Sequence, residues 1–175
     1  DVYKRQLENE GILNIEASVV FEGLLKNKGT LEIKSGFSGE LIFQGGLVNQ
    51  GTFAAKHNPD ATVHWQGSTR LESGSVELNG VSLRISGHVQ ESGDQFSVQS
   101  SNLELSGRTV WMVPRSLTFT ELFLHGNTLL LGDNATELRV SNKVTMDQAS
   151  GQIILGHGSL ALLGGLELKK GYLSV

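Results

Sequence analysis

Leu7-Glu8-Asn9-Glu10-Gly11-Ile12-Leu13-Asn14-Ile15 returns as Leu25-Lys26-Asn27-Lys28-Gly29-Thr30-Leu31-Glu32-Ile33 and again as Leu47-Val48-Asn49-Gln50-Gly51-Thr52-Phe53-Ala54-Ala55. The shared phrase is L-x-N-x-G followed by an alternating pair of mostly apolar residues, and the glycines stand 18 and then 22 residues apart. Self-similarity at a spacing of about 20 residues is the signature of a solenoid. Sandwiches and barrels also use many short strands, but they do not require the same turn tripeptide at every circuit. A parallel β-helix does. Each coil climbs one strand spacing, about 4.8 Å, so equivalent residues stack in columns and the turn chemistry must recur.

A looser pattern, Gly-x-Φ-x-Φ with Φ aliphatic or Phe, starts at Gly11, Gly29, Gly39, Gly51, Gly74, Gly151, Gly158, Gly164 and Gly171. About three of the 22 glycines would show it by chance. Each match reads as a turn residue feeding a strand whose alternate side chains share one face. No window of ten or more residues keeps helical apolar spacing without an interrupting glycine. The expectation is an all-β chain, a right-handed parallel β-helix (β-solenoid) of about eight coils, cut from a longer protein; the hand follows from crossover chirality. Residues 7–175 read as one β-solenoid domain, with 7–56 the most regular repeats, 57–116 irregular with protruding turns, and 117–175 regular coils. Asp1-Val2-Tyr3-Lys4-Arg5-Gln6 is what GAT GTG TAT AAG AGA CAG encodes and resembles a transposase sequencing adapter, so 1–6 reads as a scar to set aside.

In a stack, Asn9, Asn27 and Asn49 have two readings. Their amides form a ladder that satisfies polar groups inside a turn, or each simply favours its own local turn. Gly11, Gly29 and Gly51 are the matching turn glycines. Leu7, Leu25 and Leu47, with Leu13, Leu31 and Phe53, should form apolar columns, while Glu8, Glu10, Lys26, Lys28, Val48 and Gln50 point outward. His57-Asn58-Pro59-Asp60 reads as a turn or protruding loop, because Asn-Pro initiates turns and proline cannot donate to a ladder.

The absence of cysteine excludes a disulfide scaffold, a thiolate metal site and cysteine catalysis. With 14 Lys+Arg against 18 Asp+Glu scattered along the chain, there is no basic tract for nucleic acid. The apolar runs are too short for a membrane span. Chemistry finds little local support: no G-x-S-x-G elbow, no P-loop, and histidines 57, 64, 88, 125 and 157 without metal-ligand spacing. Gly156-His157-Gly158-Ser159-Leu160-Ala161 matches G-x-G-x-x-A, but the motif needs a following helix, and alternation follows instead. Asp133, Asn134 and Glu137 offer oxygens in one acidic turn without a calcium repeat. No catalytic residue, cofactor or metal is expected. For sugar contact the candidates are Trp65, Trp111 and Tyr172, whose rings could stack on a pyranose face. A lyase or glycosidase would need acids such as Glu72, Glu77, Asp94 or Glu104 to converge with a base such as Arg115.

Asn49-Gln50-Gly51-Thr52-Phe53, the turn from Gly67 to Gly74, His125-Gly126-Asn127-Thr128-Leu129-Leu130-Leu131, and Gly158-Ser159-Leu160 running on to Gly171-Tyr172-Leu173-Ser174-Val175 resemble secreted bacterial β-solenoid proteins. The likeness is to passenger regions of filamentous haemagglutinins and autotransporters. It implies export, cell-surface display and a stalk or adhesive role, with host or cell-surface glycans or proteins as partners and the remaining coils of the same chain as neighbours. The leading expectation is therefore a non-enzymatic structural or adhesive module, extracellular or on the cell surface. A carbohydrate-active β-helix enzyme is the rival, and an intracellular polymer-forming solenoid the third reading.

Overall fold

The computed structural model describes residues 2–92, 95–99, 102–107, 110–113, 117–126, 129–132, 137–147, 152–154, 159–168 and 172–174. Among them every regular element is a strand and every strand pairing is parallel. The chain is a β-solenoid. Strands Leu7–Asn9, Leu25–Asn27, Leu47–Asn49 and Thr69–Leu71 begin a nine-stranded second sheet, so the described residues form nine rungs of this sheet where about eight coils were expected. Its central column runs Leu7, Leu25, Leu47, Thr69, Val89 and Trp111 in register.

Each coil opens on a first sheet, turns into the second, and for five rungs continues into a third that starts with Ile12–Ile15, Thr30–Ile33 and Thr52–Lys56. Beyond the fifth rung the corner between third and first sheets straightens. Leu117–Leu124 and Glu137–Met146 are single long strands, with a register shift between Phe119 and Glu121. The first half of Glu137–Met146 pairs with Ser159–Leu162 and the second half with Gly165–Leu168. The residues after Gly158 are thus strands, not the helix that a dinucleotide fingerprint requires.

Alternation buries one face of strands such as Thr30–Ile33, Thr62–Trp65 and Ser82–Ile85. The inward column of the first sheet is Tyr3, Phe21, Phe43, Trp65, Ile85, Leu105, Leu124 and Met146, all partners in register. At its start the rings stack, with centroids 5.3 Å apart for Tyr3–Phe21 and 5.5 Å for Phe21–Phe43. Leu25, Leu47, Leu31 and Phe53 are fully buried, and Leu7 and Leu13 pack against the same core. Val48 departs from the outward reading. It is 4% exposed, flanked in register by Lys26 and Arg70. His57-Asn58-Pro59-Asp60 is a turn, closed by the Ala61 backbone N–H donating to the Asn58 carbonyl at 3.1 Å, but Asn58 is buried rather than protruding: its Oδ1 accepts from the Gly36 backbone N–H at 2.9 Å, and His57 beside it takes φ 56°.

The asparagines form a ladder. Asn9 Nδ2 donates to Asn27 Oδ1 and Asn27 Nδ2 to Asn49 Oδ1, each at 2.7 Å, while Asn9 and Asn27 also donate to the carbonyls of Thr30 and Thr52. The ladder stops at Leu71, the register partner of Asn49, which offers no acceptor. Asn49 Nδ2 turns instead to the carbonyls of Gly51, at 3.0 Å, and Ser75, at 3.3 Å. Glycine two residues after Asn27 and Asn49 is required by the rung beneath. A Cβ on Gly29 would stand 2.1 Å from the Gly11 carbonyl oxygen, and one on Gly51 2.0 Å from that of Gly29, whereas Gly11 has nothing within 4 Å.

Two outcomes follow. Gly51→Ala should lower stability by about 1–3 kcal/mol or more through overpacking against backbone, while Gly11→Ala stays within about 0.5 kcal/mol of the parent, as read by urea or thermal unfolding. Asn27→Ala should cost about 1–3 kcal/mol, because Asn49 Oδ1 and the Thr52 carbonyl lose their donor in a buried turn.

Candidate functional site

The outward face of the first sheet carries the densest set of functional side chains among the described residues. Ile42, His64, Arg84 and Glu104 are consecutive partners in one column, on strands Glu40–Phe43, Thr62–Trp65, Ser82–Ile85 and Leu103–Leu105. A rung spacing near 4.8 Å places long polar side chains within reach of the next rung. Arg84 lies between two acids: its Nε donates to Glu104 Oε2 at 2.9 Å and its Nη1 stands 3.6 Å from Glu40 Oε1. These partners are substantially exposed, so each pair contributes at most about 1 kcal/mol and mainly fixes side-chain position.

His64 lies against the adjoining turn. Its Nε2 is 3.1 Å from Ser86 Oγ and its Nδ1 3.3 Å from Gln66 Nε2. A neutral imidazole satisfies both contacts, with the Gln66 amide donating to Nδ1 and Nε2–H donating to the hydroxyl. Burial holds the imidazole below its ordinary value of 6.5, the Arg84 charge lowers it further, and Glu40 and Glu104 oppose the shift. The face is thus an array of fixed donors and acceptors at rung intervals, with a hydroxyl, two carboxylates, a guanidinium, an amide and a neutral imidazole.

The sites expected from sequence fall elsewhere. Trp65, the neighbour of His64, points inward and is 0% exposed, so it is core and no sugar can stack on it; strand alternation put it on the opposite face from His64. Trp111 and Tyr172 lie on strands Val110–Val113 and Tyr172–Ser174, and their side chains are outside the described residues. Glu72 meets Gln50 at 2.7 Å and Arg70 at 3.6 Å beside the second sheet, Glu77 meets Lys56 at 3.7 Å on the third, and Glu104 is on the first. These three acids do not converge. Asp94, Arg115, Asp133, Asn134 and His157 lie outside the described residues. A depression on the third sheet is lined by Lys56, Glu77, Leu78, Asn79 and Ser97. Among the described residues no three His, Asp or Glu side chains gather as a metal site, and no helix is long and apolar enough to cross a membrane.

A second repeated phrase in the sequence locates the cluster. Phe21-Glu22-Gly23, Phe43-Gln44-Gly45, Trp65-Gln66-Gly67, Ile85-Ser86-Gly87, Leu105-Ser106-Gly107 and Leu124-His125-Gly126 share an apolar-polar-Gly pattern, and their central residues stack in one turn. Counting back from each apolar residue gives Ile42, His64, Arg84 and Glu104 as outward neighbours.

Because protonated His64 is disfavoured in the fold, the unfolded chain binds a proton near pH 6.5 before the folded chain does. His64 therefore costs stability as pH falls below 6.5, down to its own lower value, and nothing above that window. His64→Gln should remove that part of the pH dependence of unfolding, and the His64 ring signals in NMR should titrate with a midpoint below 6.5.

No protein-family model, curated protein or solved structure matches this chain.

Proposed function

We propose that this chain is a structural and adhesive module of a bacterial surface protein, displayed outside the cell, whose stacked core holds outward side chains in a rigid array for repeated weak contacts with glycans or proteins. The observation that supports the reading is the column formed by His64, Arg84 and Glu104 on a continuous sheet, with Ser86 and Gln66 beside it. A hydroxyl-rich polymer lying across such a face meets donors and acceptors at a constant interval. Many weak contacts then add through effective concentration rather than through one deep pocket. The resemblance to haemagglutinin and autotransporter passengers supplies the export and surface part of the proposal, with further coils of the same protein as its neighbours.

A second reading, a carbohydrate-active β-helix, is favoured by one feature: Glu40, Glu104 and Arg84 share that face with a neutral His64. Two acids and a base are what glycoside or uronate cleavage uses. Here the acids are paired with Arg84, which suits binding better than proton transfer.

The purified chain should be retained on immobilised polysaccharide, with Arg84→Ala weakening retention while leaving unfolding within about 0.5 kcal/mol of the parent. Shortening of pectin or uronate polymers by the purified protein, measured by viscometry and chromatography, would overturn the scaffold reading.

A further inference from the structure

The first rung, Leu7–Asn9 with Ile12–Ile15, is built like those that follow but lacks the neighbour they lean on. Leu7–Asn9 ends the nine-stranded sheet and Ile12–Ile15 the five-stranded one. Within the stack, three N–H groups of this turn reach back one rung: Lys28 and Gly29 donate to the Asn9 carbonyl and Thr30 to that of Gly11, and one coil later Gln50 and Gly51 donate to Asn27 and Thr52 to Gly29, all at 2.7–2.9 Å. The N–H groups of Glu10, Gly11 and Ile12 are their counterparts by register. Among the described residues they meet no acceptor on a preceding rung. A row of unpaired backbone groups at a sheet edge is a template for another strand.

The asparagine ladder is open at the same place. Each amide donates toward the following rung, so each Oδ1 accepts from the rung before it: Asn27 from Asn9, and Asn49 from Asn27. Asn9 Oδ1 has no asparagine ahead of it among the described residues. The apolar columns are uncovered too, for Leu7 and Leu13 are half-buried where Leu25 and Leu31, their register partners, are fully buried. Gly11 is a separate sign. A carbonyl one rung earlier forces glycine at positions 29 and 51, but nothing within 4 Å and no left-handed φ forces it at 11. The carbonyl of a rung ahead would.

The geometry selects the occupant. This edge has three sheets, whereas beyond the fifth rung the corner between third and first sheets is gone, so the far end of a second copy does not match it. Two copies meeting by like ends, with turns aligned, set one Asn9 Oδ1 against the other, acceptor against acceptor. A parallel coil with L-x-N-x-G supplies each missing group: an amide for Asn9 Oδ1, carbonyls for the three open N–H groups, and a leucine over Leu7. We infer that the edge at Leu7–Ile15 is an interface for one further coil of the same protein, carrying L-x-N-x-G and stacked ahead of it in parallel register. The inference rests on the proposed place of the chain in a larger solenoid and not on its adhesive role, which retention on polysaccharide tests separately.

The test inserts a second copy of residues 25–46, one complete coil, between Gln6 and Leu7 of the full chain. Native-state hydrogen exchange at Glu10, Gly11 and Ile12 should slow by about 100-fold or more, to the level of Lys28, Gly29 and Thr30. Gly11→Ala, which leaves the urea midpoint of the parent in place, should lower that of the extended chain as much as Gly51→Ala does. Asn27→Leu made only in the inserted copy should reduce the protection. An extended chain that loses the parental β spectrum, leaves the three amides unprotected, or remains indifferent to Gly11→Ala overturns the inference. So does a dimer of the parent chain, seen by sedimentation equilibrium, that protects the same three amides, because a second copy would then occupy the edge.

Discussion

Everything in this chain depends on one spacing. Parallel strands hydrogen-bond at about 4.8 Å, so each residue lies directly over the residue one coil earlier and must tolerate it at that distance. Side chains that like their own kind at that separation are selected into columns: asparagine amides that donate and accept in turn, aromatic rings that stack, aliphatic chains that pack. The same spacing excludes a Cβ where a turn presents its carbonyl to the next rung, as at Gly29 and Gly51. Regularity in the sequence is thus a response to a distance rather than to a ligand.

The outward faces obey the spacing without the same selection. Nothing requires Ile42, His64, Arg84 and Glu104 to resemble one another, so function can be written there residue by residue while the core repeats beneath it. This explains how one scaffold carries ion pairs on its second sheet, a neutral histidine beside a guanidinium on its first, and a histidine–aspartate contact farther along the turn.

The first repeat was legible because three copies of L-x-N-x-G meet the strictest requirement of the stack, and it led to the ladder Asn9–Asn27–Asn49 and its glycines. The functional face was not. Coil length varies from the 18 residues between Leu7 and Leu25 to the 23 between Leu130 and Ile153, so no fixed period says which outward residues become neighbours. Trp65 shows the other difficulty. An indole is compatible with a core column and with a sugar-binding surface, and only its parity relative to Phe43 and Ile85 placed it inside.

The sequence by itself determined that the chain is all-β, that its strands alternate, and that its turns stack, because alternation and turn chemistry are local and are imposed again at each coil. Tertiary structure alone decided that Glu40 and Glu104 meet at Arg84, that Asn58 turns inward, and that His125 meets Asp147. Those outcomes depend on register between coils of unequal length, and register is fixed by inter-rung hydrogen bonds that no single segment contains.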